Sequence, residues 1–102
     1  MAAENDVISL QEKAEQGDVE AQFKLGVAYT KGQGVSQDYT KAVEWFSKAA
    51  EQGHAISQFN LGCMYLSGRG VSQDDAKATE WLHKAAEQGN KEAKYFLNVS
   101  GR

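Results

Sequence analysis

The sequence repeats itself with a period of 36 residues, and this period constrains the fold more than any single residue does. The motif Ala-Glu-Gln-Gly ends at Gly17, at Gly53 and at Gly89. A second motif, Gly-x-Gly-Val-Ser-Gln-Asp, begins at Gly32 and again at Gly68. A fixed period of about 20 to 50 residues indicates a solenoid, in which each unit buries its apolar face only against its neighbours.

Each period contains the pattern of two helices joined by a short loop. A first helix is predicted from about 19 to 31, with Ala21, Leu25 and Tyr29 on one stripe at helical spacing. One period later, a first helix is predicted from about 55 to 67. The glycine that follows each first helix is free to take a positive φ and therefore stops the helix.

Second helices are predicted from about 38 to 53 and from about 75 to 88. The stretch 5–16 aligns with the end of a second helix, and the stretch 91–99 aligns with a first helix. The sequence therefore predicts an all-α solenoid of six helices, each antiparallel to the next, in about two and a half repeats.

The length and composition fit one small domain over residues 1–102, with repeat units of about 14–49, 50–85 and a partial 86–99. Hydrophobic residues make up 41% of the chain and charged residues 25%, so disorder is not expected. No apolar run approaches the roughly 20 residues that cross a bilayer, so no membrane contact is expected. The net charge of −3 and the lack of a basic stripe argue against nucleic acid as a partner.

The N-terminal residues 1–6 lack the basic start and apolar core of a signal peptide, which favours a cytoplasmic location. Export of a longer precursor with a removed signal stays open. Cys63 is the single cysteine and can form no internal disulfide.

Glycine recurs inside the first helices, at Gly26 and Gly62. Glycine in a helix interior costs up to about 1 kcal/mol relative to alanine. Its recurrence predicts that another helix approaches these positions too closely for a Cβ atom.

No residue pattern in the chain supports catalysis, a metal or a cofactor. The spacing of His54, Cys63 and His83 matches no zinc signature. Gly32-x-Gly34 follows a helix and not a strand, so it fails the structural requirement for a phosphate-binding loop. No Ser-x-x-Lys motif occurs, and no serine has an obvious histidine or carboxylate partner. We therefore expect a protein that is not an enzyme.

The chain resembles the Sel1-like repeat family, which is related to the tetratricopeptide repeat. The resemblance covers about 90% of the chain, and the matching pattern is Ala21-x3-Leu25-Gly26-x2-Tyr29-x2-Gly32-x-Gly34-Val35-x2-Asp38-x2-Lys41-Ala42-x2-Trp45-x2-Lys48-Ala49-Ala50-x2-Gly53. The second copy departs from it at Ser57. The resemblance implies a right-handed α-solenoid that acts as an adaptor or scaffold in protein complexes, often in bacteria. Cysteine-rich members carry disulfide-stapled helix pairs, which the single Cys63 does not support.

Related solenoids line their concave groove with the face of the first helices that points away from the packing stripe. At 100° per residue, this face carries an unusually apolar set of side chains. We call it the first-helix strip and predict that it binds the partner protein; its candidate residues are Glu20, Phe23, Val27, Ile56, Phe59, Cys63, Leu66, Glu92 and Tyr95.

The sequence is compatible with two interpretations of the strip. In one, Phe23, Phe59 and Tyr95 wedge between adjacent first helices as core. In the other, they form an apolar floor for a helix or an extended segment of the partner. Lys31 and Arg69 lie beside the strip and would suit an acidic group of the ligand, whereas Glu20 and Glu92 would suit a basic one.

The leading functional prediction is a protein-interaction module without chemistry, and the partner is not named by the sequence. The alternative within this class is an inhibitory partner that neutralises a toxin or an enzyme. A hydrolase or peptidoglycan-acting enzyme and a self-assembling structural unit are less favoured. Phe96 and Leu97 are predicted to form an exposed apolar edge at the C-terminal end, capable of weak self-association.

Overall fold

The computed structural model describes residues 6–101, and this range folds into six α-helices without strands. The helices are α1 (Val7–Glu15), α2 (Val19–Lys31), α3 (Tyr39–Glu51), α4 (Ala55–Ser67), α5 (Asp75–Glu87) and α6 (Lys91–Ser100). Each helix packs mainly against the helices before and after it, which gives an elongated body of 48 × 25 × 18 Å. The predicted all-α solenoid of six helices is confirmed. Asn5, where α1 was predicted to begin, lies outside the described residues.

Short polar side chains begin the helices and left-handed glycines end the first helices. Asp18 caps α2 by accepting a hydrogen bond of 2.9 Å from the Ala21 N–H. His54 occupies the equivalent position before α4, and its Nδ1 accepts from the Ser57 N–H at 3.2 Å. Gly32 ends α2 at φ +72°, as predicted for a helix-stopping glycine.

The two helices of a repeat meet at the mid-helix glycine. A Cβ atom at Gly26 would lie 2.5 Å from the Phe46 ring, and one at Gly62 would lie 2.9 Å from Leu82 Cγ. Because real Cβ contacts are longer than this, the predicted close approach is confirmed. Phe46 and Leu82 are fully covered by this contact, at 2% and 1% exposure.

A buried polar network that the sequence analysis did not predict joins successive repeats. The Gln22 side chain donates to the Ala14 carbonyl oxygen at 3.1 Å and accepts from the Gln52 amide at 2.9 Å. One period later, Gln58 donates to the Ala50 carbonyl at 3.1 Å and accepts from a second glutamine amide, that of Gln88, at 2.9 Å. Buried amides of this kind tie the register of one repeat to the next, because a slip would leave them without partners.

Both ends of the solenoid carry polar residues where internal repeats carry small buried ones. Lys13 of α1 is exposed. The residue at the same register of α3 is Ala49, whose side chain has 0% exposure. Asn98 of α6 stands at the register of Gly62 and is exposed. α1 and α6 are therefore polar at registers where the helices between them carry small buried residues.

The expectation that Leu97 forms part of an exposed apolar edge is wrong. Leu97 is only 9% exposed, because it packs with Leu82, Ala85 and Ala93 in a cluster formed by α5 and α6. The second helix that precedes it, α5, covers Leu97, so no following helix is needed to bury this side chain. Phe96 is half-buried against the same cluster.

Candidate functional site

The first-helix strip runs along one face of α2, α4 and α6, and its exposure increases toward α6. Phe23 and Phe59 are half-buried, whereas Tyr95 at the same register is 70% exposed. The difference arises because Phe23 and Phe59 are each covered by the following repeat, and no helix follows α6 among the described residues. Ile56 is 49% exposed and is the most accessible aliphatic side chain of the strip in the central repeat.

Phe23, Glu20 and His54 connect the strip between α2 and α4. The Phe23 ring centroid lies 4.8 Å from that of His54 and 6.2 Å from that of Phe46. His54 Nε2 lies 3.1 Å from Glu20 Oε1. Since His54 Nδ1 accepts a backbone N–H, Nε2 carries the proton and donates it to Glu20. Glu20 is therefore engaged by His54 although its side chain is 62% exposed, while Phe23 combines packing with partial exposure.

The remaining strip residues divide between packing and solvent. Leu66 and Phe59 are half-buried against the α5–α6 cluster, so substitutions there would disturb the fold. Glu92 is exposed in the first turn of α6. Val27 and Cys63 are half-buried at equivalent registers and line concave spaces beside the strip.

A cleft of about 300 Å³ lies between α2, α3 and α4, and we call it the α2–α4 cleft. We call its less polar lining residues the floor; these are Val27, Tyr39, Phe46, Cys63 and Met64. We call its polar and charged lining residues the rim; these are Thr30, Lys31, Asn60, Ser67 and Arg69. Floor and rim together make an apolar depression with a polar edge, the usual composition of a binding site.

A second cleft, of about 440 Å³, lies one period earlier beside α1 and α2, and we call it the N-terminal cleft. Six of its lining residues are the 36-residue equivalents of residues in the α2–α4 cleft. These pairs are Leu10 and Phe46, Lys24 and Asn60, Val27 and Cys63, Ala28 and Met64, Lys31 and Ser67, and Gln33 and Arg69. The repeat therefore generates the same depression twice, and Val27 and Lys31 border both.

The structure brings three of the predicted strip residues, Phe23, Val27 and Cys63, to the clefts. It also adds residues that the strip omitted, above all Tyr39 and Met64. Tyr39 begins a second helix, so a pattern read along the first helices alone could not include it. Met64 follows Cys63 and faces the cleft from its buried side.

The α2–α4 cleft contains the thiol of Cys63. Burial raises the pKa of the Cys63 thiol, which keeps it protonated and a weak nucleophile at neutral pH. Within residues 6–101, no group of three or more His, Cys, Asp or Glu residues is placed to hold a metal ion. None of the helices described is long and apolar enough to cross a bilayer.

Comparison with solved structures shows close likeness to three bacterial proteins. A Sel1 repeat protein from Oxalobacter formigenes superposes with a TM-score of 0.89 at 41% identity, over 91% of this chain and 70% of that one. The protective antigen c5321 of uropathogenic Escherichia coli, which has an SLR fold, gives 0.81 at 45% identity, over 83% of this chain and 18% of that one. Cysteine rich protein B of Helicobacter pylori gives 0.84 at 26% identity, over 89% and 68%.

Sequence comparison points the same way. The secretory immunoglobulin A-binding protein EsiB of Escherichia coli O6:H1 (strain CFT073) is 43% identical over 40 residues. This match covers 39% of the chain and 8% of EsiB, so the chain spans a small part of that relative. The Sel1 repeat family model matches residues 19–54 and 55–90, two units of the predicted period that begin slightly later than the predicted ones.

The stacked helix pairs define a helical-repeat protein of the α-solenoid class. The chain belongs to the Sel1 repeat family. Sel1 repeat proteins are in general protein-interaction modules, and typically non-catalytic scaffolds.

Proposed function

We propose that this protein is an adaptor or scaffold that binds a partner protein on the first-helix strip, the face that lines the concave groove in related solenoids. The observation that carries the proposal is the row of partly exposed apolar side chains, from Phe23 through Ile56 to Tyr95, beside two apolar clefts. Apolar side chains that remain accessible beside a preformed depression are typical of interaction sites. A location in the cytoplasm stays part of the proposal.

The strip suits a partner that contributes a helix or an extended segment, because the accessible side chains follow one line across α2, α4 and α6. Part of the strip is preformed, since Phe23, Phe59 and Leu66 are also packed against the core. A preformed surface loses little conformational entropy on binding. We also propose weak self-association at the C-terminal end of the described helices. Since Leu97 is buried, the contact would be formed by Tyr95 and Phe96.

Ile56→Asp is expected to abolish capture of the partner while leaving helicity and melting temperature near wild type. The side chain is 49% exposed, so the carboxylate remains solvated in the free protein and is desolvated only in the complex. The measurement is affinity capture from the native cell extract followed by mass spectrometry, with circular dichroism as the check on folding.

Ile8→Asp is the matched control, because Ile8 is 71% exposed and lies on α1 outside the strip. We expect the control to retain the partner. Retention of the partner by Ile56→Asp at unchanged affinity would contradict the proposal and would direct attention to the opposite face, which carries Lys41, Glu44 and Lys48.

A further inference from the structure

The α2–α4 cleft has a charge opposite to that of the whole chain. The chain carries 14 acidic and 11 basic residues, yet the residues lining this cleft include Lys31 and Arg69 and no aspartate or glutamate. Among the described residues, no carboxylate lies within 4.0 Å of the Lys31 ammonium or the Arg69 guanidinium, so neither cation of the cleft is neutralised there. The local potential therefore favours an anionic group.

The repeat itself does not require these two cations. Ser67 occupies the position equivalent to Lys31, and Gln33 occupies the position equivalent to Arg69. A cation in the last turn of α2 does offset the helix dipole, but α4 ends without one and keeps the same length and the same glycine cap. The pairing of Lys31 with Arg69 therefore belongs to this cleft, whereas the N-terminal cleft carries Lys24 and Lys31.

Arg69 is exposed and lies beside an aromatic ring of the cleft. Its guanidinium carbon lies 5.3 Å from the centroid of the Tyr39 ring, which also lines the cleft. Contact with the ring face leaves the N–H groups at the guanidinium edge available for a carboxylate, which can accept two parallel hydrogen bonds. A pre-oriented arginine loses less entropy on binding than a free one.

The cleft floor next to these cations is apolar and adaptable. Val27, Phe46 and Met64 supply hydrocarbon and thioether surface, and the unbranched methionine side chain can adjust to different shapes. Asn60 lies at the rim, half-buried, with an amide that can bond to a peptide backbone. A volume of about 300 Å³ is the lower end of the range for small binding sites, which suits one large apolar side chain.

We propose that the α2–α4 cleft binds a short acidic peptide segment of the partner, with one leucine or phenylalanine side chain on the apolar floor and a neighbouring carboxylate between Lys31 and Arg69. This inference rests on the proposed function and adds the chemical class of the segment. Lys31 also borders the N-terminal cleft, so acidic residues on either side of the apolar anchor are favoured.

The test uses synthetic fluorescein-labelled decapeptides with one leucine or phenylalanine flanked by glutamates, and otherwise identical peptides with glutamine or lysine at those positions. Fluorescence anisotropy against the full chain is expected to show the glutamate peptides binding at least about tenfold more tightly than the glutamine ones, with an affinity that falls as salt is added. Lysine peptides are expected not to bind.

Lys31→Gln and Arg69→Gln are each expected to weaken binding of the glutamate peptides by about fivefold to tenfold. Lys48→Gln and Lys84→Gln on the second helices are the matched controls and are expected to leave it unchanged. Equal binding of glutamate and glutamine peptides, equal losses in the controls, or no binding of any peptide would each overturn the inference. The partner capture with Ile56→Asp is independent of these results, so the proposed function stands or fails separately.

Discussion

Replacing Gly62 by leucine is expected to lower the stability of the protein by about 2–3 kcal/mol or more, through overpacking. The new Cβ atom would lie 2.9 Å from Leu82 Cγ and 3.2 Å from the Ala78 carbonyl oxygen. Leucine gains up to about 1 kcal/mol in helix propensity over glycine, which is less than the cost of separating α4 from α5. Thermal unfolding followed by circular dichroism measures the effect, at about 4–8 °C per kcal/mol for a domain of this size.

Asn98→Leu is the matched control, because it makes the same residue at the same register of α6, where the position is exposed. We expect this control to melt within a few degrees of wild type. A chain break in the loop between Gly32 and Asp38 is also expected to cost less than Gly62→Leu. Equal melting temperatures for Gly62→Leu and wild type would show that the helices do not need the close approach.

Ala49→Lys is expected to unfold the protein at moderate temperature. Ala49 is 0% exposed within the helix stack, so a lysine there would carry its charge into a fully packed contact. Leaving an unpaired charge in such a contact costs about 3–5 kcal/mol, a large part of the roughly 5–15 kcal/mol that stabilises a whole domain. Urea unfolding monitored by tryptophan fluorescence provides the measurement.

Lys13→Ala is the reverse substitution at the equivalent register of α1, where the side chain is exposed. Loss of a lysine from the last turn of α1 is expected to change the free energy of unfolding by at most about 1 kcal/mol. An Ala49→Lys variant as stable as wild type would mean that the second helices tolerate a charge on both faces, and the distinction between internal and terminal repeats would be lost.

The helices and their packing could be predicted because the repeat presents each signal more than once. The bounds of α2 and α4 match the prediction, since Gly32 and Gly68 follow the same apolar stripe in both copies. The contact at Gly26 was predictable for a similar reason. An isolated glycine in a helix is ambiguous, but a recurring one indicates a neighbouring backbone or side chain.

The buried glutamine network was not predicted, because glutamine is usually exposed and its acceptors lie elsewhere in the chain. Gln22 reaches a carbonyl of α1 and an amide 30 residues away. The recurrence of Gln22 as Gln58, and of Gln52 as Gln88, was a usable signal. To use this signal, periodic polar residues have to be considered as candidates for the core, in the same way as periodic apolar ones.

The cleft was only partly predicted, since it forms where three helices meet. Helical periodicity along α2 and α4 identified Val27 and Cys63, but Tyr39 belongs to a different helix and face. The burial of Leu97 was missed because the prediction assigned its contact to a following helix. In the structure the preceding helix, through Leu82, is enough to cover it.

Site-specific photo-crosslinking in the native cell tests directly whether a partner protein binds along the first-helix strip. A photoreactive benzoylphenylalanine is placed at Ile56 or at Tyr95, which are 49% and 70% exposed on the strip, or at the exposed Glu44 on the opposite face. We expect both strip positions to give adducts with the same partner protein and position 44 to give none. Adducts from position 44 alone would contradict it.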